Sequence, residues 1–192
     1  MEIPALVLPD NTTRLLLHSC CAPCSGEIIK RLIASDITFS ILFYNPNIDT
    51  EKEYLKRENE IEKFANTLSV DFFDLDYDNS EWTKRITGLE NEPERGKRCT
   101  ECFRLRLEMT ALFANENKFD IFTTSLGISR WKDFKQVCTC GYAAAEKYPG
   151  LKFWDYNWRK NGGSERVEKI SKQENFYRQT YCGCIYSKIK SF

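Results

Sequence analysis

Arg14-Leu15-Leu16-Leu17-His18-Ser19-Cys20-Cys21-Ala22-Pro23-Cys24-Ser25-Gly26 reads as a short apolar strand, a sharp turn dense in sulfur, and the opening of a helix. Four more runs share the strand's character: Thr38 to Tyr44, Val70 to Leu75, Asp120 to Ser125 and Lys152 to Asp155. The segments between them are mostly long enough for helices. Thr50 followed by Glu53 is a capping box that predicts a helix reaching Leu68, and Leu105, Met109, Leu112 and Phe113 mark one apolar face of another. A last helical stretch is predicted from Ser164 to Arg178, after Asn161-Gly162-Gly163. Strands alternating with helices imply parallel strands joined by crossovers, hence an α/β fold. In such sheets ligands bind beyond the carboxyl ends of the strands, where Cys20 and Cys21 fall. Ser25 and Gly26 are expected to begin the following helix, so Cys24, near its N-terminus, is expected to favour its thiolate.

A chain of 192 residues, 42% hydrophobic, is long enough for one well-buried domain and short for two. No stretch approaches the ~18 apolar residues of a membrane helix. Met1 to Asn11 lacks the pattern of a signal peptide, so the expected location is cytoplasmic. Nine cysteines in that setting argue for metal or redox chemistry over a disulfide framework. Charge balances at 28 basic and 28 acidic residues but is uneven along the chain. Asn45 to Arg95 holds fourteen acidic against seven basic side chains. From Asp155 to Phe192 there are eight basic (Arg159, Lys160, Arg166, Lys169, Lys172, Arg178, Lys188, Lys190) against four acidic. That basic run is either a solvated face or a surface for phosphates.

Cys21 and Cys24, with Cys99 and Cys102, form two C-x-x-C pairs. By spacing alone they suit structural zinc or an iron–sulfur cluster, and the additional Cys20 favours a cluster or a second metal. Asn91 to Arg98 reads as the loop that delivers Cys99 to a helix start. Cys182-Gly183-Cys184 permits either a strained, reducible dithiol or two more metal ligands. Cys138 and Cys140, two apart on a predicted helix, point about 200° from one another and read as packing residues. His18, the only histidine, reads as a hydrogen-bonded structural residue, with proton delivery as its functional alternative. Asp74, Asp76 and Asp78 read as solvated turn residues. There is no Walker loop, no G-x-G-x-x-G and no G-x-S-x-G elbow.

Three stretches carry a resemblance over nearly the whole chain: Leu17 to Cys24, Arg98-Cys99-Thr100-Glu101-Cys102-Phe103-Arg104, and Tyr177-Arg178-Gln179-Thr180-Tyr181-Cys182-Gly183-Cys184. They closely resemble the QueH family of cobalamin-independent epoxyqueuosine reductases, and Phe153 to Gly163, with Asp155, Arg159 and Lys160, is similar to that family as well. The resemblance implies a single-domain, three-layer Rossmann-like sheet akin to the adenine-nucleotide α-hydrolase (HUP) fold, with a C-terminal extension (about 156–192) bearing the Cys-Gly-Cys motif. It implies reduction of the epoxide on the wobble base of a tRNA anticodon, the last step of queuosine synthesis, with electrons from an external donor. Cys20, Cys21, Cys99 and Cys102 would hold a [4Fe-4S] cluster, and Cys182 with Cys184 would be the redox-active pair. Cys24 would be left to face substrate or bind a second metal ion such as iron. Ser129-Arg130-Trp131-Lys132 departs from the family pattern, which more often has a histidine near Trp131. Trp154, Tyr156 or Trp158 is expected either to stack the base or to fill the core. The alternatives are a zinc-stabilised RNA-binding module closed by Cys21, Cys24, Cys99 and Cys102, and a sulfur-inserting tRNA enzyme.

Overall fold

A computed structural model describes residues 5–188. The expected strands form as β1 (Leu15–Ser19), β2 (Phe39–Phe43), β3 (Phe72–Asp74), β4 (Ile121–Thr124) and β5 (Lys152–Phe153). All pairings are parallel, in the order β3-β2-β1-β4-β5. This is a Rossmann-like sheet, whose direction of winding reverses between β1 and β4. β1 is central and buried at all five positions. Such a strand must be apolar on both faces, which is why Leu15-Leu16-Leu17 does not alternate with polar residues.

The two faces pack separate apolar clusters. Leu15, Leu17, Ile41 and Phe43 meet α1 (Ala22–Ile33), α2 (Glu51–Thr67) and α6 (Gly163–Gln173) through Ile28, Ile61 and Ile170. On the opposite face, Leu16, Leu42 and Phe122 meet α4 (Lys97–Glu116) and α5 (Phe134–Ala145) through Leu107 and Val137. α3 (Ser80–Ile86) lies before α4, and the short α7 (Ile185–Lys188) follows the Cys-Gly-Cys turn. No helix among the described residues is long and apolar enough to cross a membrane.

Local chemistry sets the element ends. Thr50 Oγ1 accepts from Glu53 N–H (3.3 Å), half of the expected capping box. The Glu53 carboxylate turns instead to Arg57 (2.8 Å) and to the Tyr177 hydroxyl (3.3 Å). The last long helix stops at Gln173, short of the expected Arg178. Asn175 takes a φ of +53°, and the Phe176 N–H returns to the Ser171 carbonyl (3.0 Å). Phe176 then packs edge-on against Phe64 (centroids 4.9 Å apart) and over Gly26, where a Cβ would lie 2.9 Å from its ring. Anchored there, residues 177–184 extend toward the thiols at the carboxyl edge of the sheet.

Candidate active site at the carboxyl edge of the sheet

Cys20 follows β1, Cys21 precedes α1, and Cys24 occupies the first turn of α1. Pro23, early in the helix, sets the start that folds these three thiols together. Their sulfurs lie within 4.8 Å of one another, and Cys20 Sγ and Cys21 Sγ are 3.8 Å apart. A tetrahedral ion with metal–sulfur bonds of about 2.3 Å has ligand edges of about 3.8 Å, so the trio is suited to holding a metal. No other group of three potential ligands is so gathered among the described residues.

Neighbouring groups hold the trio in place. Ser125 Oγ, just past β4, accepts from the Cys20 N–H (3.0 Å) and donates to Cys20 Sγ (3.3 Å). Gln179 Nε2 donates to Cys21 Sγ (2.9 Å). Hydrogen bonds from Cys21 and Cys24 hold the Cys20 thiol well below its usual range, with help from the charges of Lys132 and Arg106. The same hydrogen bonding to Cys20 pushes Cys21 up to about 12 and raises Cys24 as well. This corrects the expectation that the helix N-terminus favours a Cys24 thiolate: the Cys24 thiol donates to its neighbour instead.

Cys99 and Cys102 lie in the first turns of α4, as expected, with the Arg95 N–H donating to Cys99 Sγ (3.3 Å). Cys99 packs against the apolar cluster that contains Cys20 and Cys21, and Cys102 lies in a neighbouring cluster against which Cys184 packs. Burial pushes Cys102 up to about 12 and raises Cys99 and Cys184. Cys182 is exposed and Cys184 half-buried, and all nine cysteines are unbridged.

The Cys-Gly-Cys turn docks on the loop after β2. The Asp49 N–H donates to the Gly183 carbonyl (2.8 Å) and Arg57 Nη1 to the Cys182 carbonyl (3.3 Å). Gly183 has a φ of +137°, and a Cβ there would lie 2.9 Å from Asn47 Nδ2, so both conformation and space call for glycine. Arg57 is buried, pairs with Glu53 (2.7 Å) and lies 5.1 Å from the centre of the Tyr181 ring.

These parts surround an open cleft of about 630 Å³, with Cys20, Cys24, Arg57, Lys132 and Cys182 among its lining. The Lys132 ammonium is raised above its ordinary range by Cys182, Cys20 and Cys24, against the opposing effect of burial. The cleft lies where the winding reverses, the usual position of a ligand site in a sheet of this kind.

A model of the family described as epoxyqueuosine reductase QueH matches residues 15–190. The chain belongs to the QueH family. A QueH epoxyqueuosine reductase of Acinetobacter baylyi is 57% identical over 182 residues, covering 95% of this chain and 84% of that protein. Those of Histophilus somni and Haemophilus influenzae are each 56% identical, covering 96% and 95% of this chain and 76% and 74% of their own lengths. This QueH member, like the relatives that bear the name, is an oxidoreductase.

Several other residues serve the structure. His18 is fully buried, with Nδ1 2.7 Å from Thr124 Oγ1 and Nε2 3.2 Å from the Tyr44 carbonyl. Burial and the Arg106 charge lower it to about 3, so it stays neutral and is a structural residue. Trp154 and Trp158 are buried and Tyr156 packs against them, with Trp154 and Trp158 ring centres 5.3 Å apart. The indoles have no face free for a base, so of the two expected roles Trp154 and Trp158 take core filling, while Tyr156 is half-buried with the Arg31 guanidinium 5.0 Å from its ring centre. Cys138 and Cys140 are buried packing residues of α5, each pushed up to about 11 by burial. Asp74 accepts from the Tyr54 hydroxyl, and Asp78 from the Ser80 N–H (2.8 Å).

Part of the basic C-terminal run is engaged within the fold. Arg166 pairs with Glu27, Lys188 with Asp49 (2.9 Å), and Arg159 with carbonyls of the loop after β4. Arg178 lines the cleft, and Lys190 lies outside the described residues. Ser125, Arg57 and Lys132 carried no motif signal of their own. Tertiary folding alone brings them to the sulfurs.

Proposed function

We propose that this chain reduces the epoxide of epoxyqueuosine in the anticodon of tRNA, giving queuosine. The observation that carries the reading is the thiol trio, of which Cys20 and Cys24 open onto a cleft with Cys182 at its lining, in a member of a family named for this reaction. Removing the epoxide oxygen as water takes two electrons and two protons. Cys182 and Cys184 together supply that complement: two thiols become one disulfide, the two C–O bonds break, an alkene forms and water leaves. An external thiol or other two-electron reductant returns the disulfide to the dithiol.

Cys20, Cys21, Cys99 and Cys102 would hold a [4Fe-4S] cluster, with Cys24 directed to a second ion such as iron. The donor chemistry fits, since soft thiolates are the ligands of such centres. When bound, these groups supply electrons and a Lewis acid for the departing oxygen. The protein's own share is positional. Ser125 and Gln179 orient the thiols, Lys132 balances their charge, and Arg57 holds the Cys182 carbonyl near the cleft.

The test is anaerobic incubation of the reconstituted protein with epoxyqueuosine-containing tRNA and a reductant, followed by nucleoside analysis. Queuosine should replace epoxyqueuosine; an unchanged nucleoside with fully loaded protein refutes the reading. Iron and sulfide analysis decides the centre separately. Four irons with sulfide, or five with a second site filled, fit the proposal. One zinc without sulfide would point instead to the single-ion geometry of the trio.

A further inference from the structure

Trp131 is 63% exposed at the mouth of the cleft, whereas Trp154, Trp158 and Trp82 are buried. A large aromatic in water forgoes the stabilisation of burial, so its position there calls for a reason. The backbone beneath it is not loose. Two arginines take four successive carbonyls: Arg159 donates to those of Ser129 and Lys132 (2.9 Å to the latter), and Arg95 to those of Arg130 and Trp131 (both 3.1 Å). The loop is thereby held with Lys132 buried toward Cys20 and Cys24 while the adjacent indole faces solvent. The Arg130 guanidinium lies 4.8 Å from the indole centre, and Arg178 lines the same cleft. A flat apolar face, a planar cation upon it and further positive charge beside it match an unpaired nucleotide, whose base stacks while its phosphate meets the cations.

We infer that Trp131, with Arg130, forms a stacking platform for an unpaired RNA nucleotide next to the one that enters the cleft. The inference rests on the tRNA reading above and deepens it. It assigns to Trp131 the base-stacking role that the buried Trp154 and Trp158 cannot take.

The experiment compares wild-type protein, Trp131→Ala, Trp131→Phe and Arg130→Ala, each reconstituted and checked for iron content and melting temperature, on epoxyqueuosine-containing tRNA. Loss of one base–aromatic stack should raise KM and the Kd for that tRNA roughly tenfold or more in Trp131→Ala. Trp131→Phe should recover most of this. The dependence of Kd on salt should keep its slope in Trp131→Ala and become shallower in Arg130→Ala, because only the arginine neutralises a phosphate. Added tRNA should quench indole emission in the wild type and much less in Trp131→Phe. Trp131→Ala with KM and Kd within twofold of an active wild type would overturn the inference and leave the proposed function standing. The same holds if the substitution changes only a concentration-dependent self-association. A wild type that is fully loaded yet neither binds nor reduces this tRNA would overturn the proposed function itself.

Discussion

Replacing Gly183 with alanine tests whether the Cys-Gly-Cys turn works only when docked. At a φ of +137° an L-residue carries strain of about 1–3 kcal/mol. The new methyl would also lie 2.9 Å from Asn47 Nδ2 and 3.4 Å from both Arg57 Nη1 and Ile48 Cγ1, in a region where Asn47 and Ile48 are almost fully buried. Overpacking of that kind adds about 1 kcal/mol or more. Against a total of about 2–4 kcal/mol, the turn is held by the Asp49–Gly183 and Arg57–Cys182 hydrogen bonds, each worth about 1 kcal/mol, with the solvent-exposed Lys188–Asp49 pair adding little. The cost therefore exceeds or matches what retains the segment, and the expected response is local undocking. With about 2 kcal/mol holding the turn, the docked fraction falls to between about one half and one thirtieth, so turnover should drop roughly 2- to 30-fold, since each 1.4 kcal/mol is about a factor of ten. The main sheet and its two flanking clusters do not include this turn, so the melting temperature should drop by no more than about 3 °C. Hydrogen exchange at the Asp49 amide, the direct partner of the Gly183 carbonyl, reports undocking independently of catalysis. Wild-type turnover with the Asp49 amide still protected would refute the reasoning.

Arg57→Met removes a buried guanidinium and leaves the Glu53 carboxylate short of a partner, so a loss of about 2–3 kcal/mol should appear as a 5–10 °C lower thermal midpoint by circular dichroism; an unshifted midpoint contradicts the role given to the pair. Cys182→Ser should keep its iron and lose turnover, and retained turnover would remove the dithiol from the reaction. Cys99→Ser should lose iron and stability together, as read by metal analysis and melting; full iron retention would mean that Cys99 is not a ligand. Glu58 is raised to about 7 by burial and by the charges of Asp74 and Glu62. The folded state therefore holds that proton more tightly than the unfolded chain, and the associated stability, complete below about pH 4.5, is lost as pH rises through about 7. Because Glu58 is only half-buried, the effect is screened to about 1 kcal/mol. Glu58→Gln should accordingly raise the melting temperature at pH 8 and leave it nearly unchanged at pH 4.5; equal shifts at both values would exclude the linkage.

Much of the architecture was legible because its causes are local or periodic. Each of the five apolar runs became a strand, its ends shifted by a residue or two to where pairing stops, whereas the helix expected to open at Ser25-Gly26 begins at Ala22, where Pro23 draws Cys24 into its first turn. Thr50 capped its helix as its side chain dictates, whereas the expected return contact of Glu53 lost to a nearer charge, Arg57. The final helix was read too long because Asn175 can continue a helix or leave it, and the choice was made by the docking of Phe176 onto Phe64 and Gly26. The tryptophans show the same division, since nothing in composition separates Trp154 and Trp158 from Trp131, and only burial does.

Strand and helix periodicity, turn residues and clustered thiols were thus determined by the order of amino acids alone, since each depends on neighbours along the chain. The tertiary structure decided which side chains hold the sulfurs, which arginines hold the loop after β4 and which indole faces water. Those outcomes depend on side chains from positions such as 20, 125 and 179, or 95, 131 and 159, and only the winding of the sheet brings them within reach of one another.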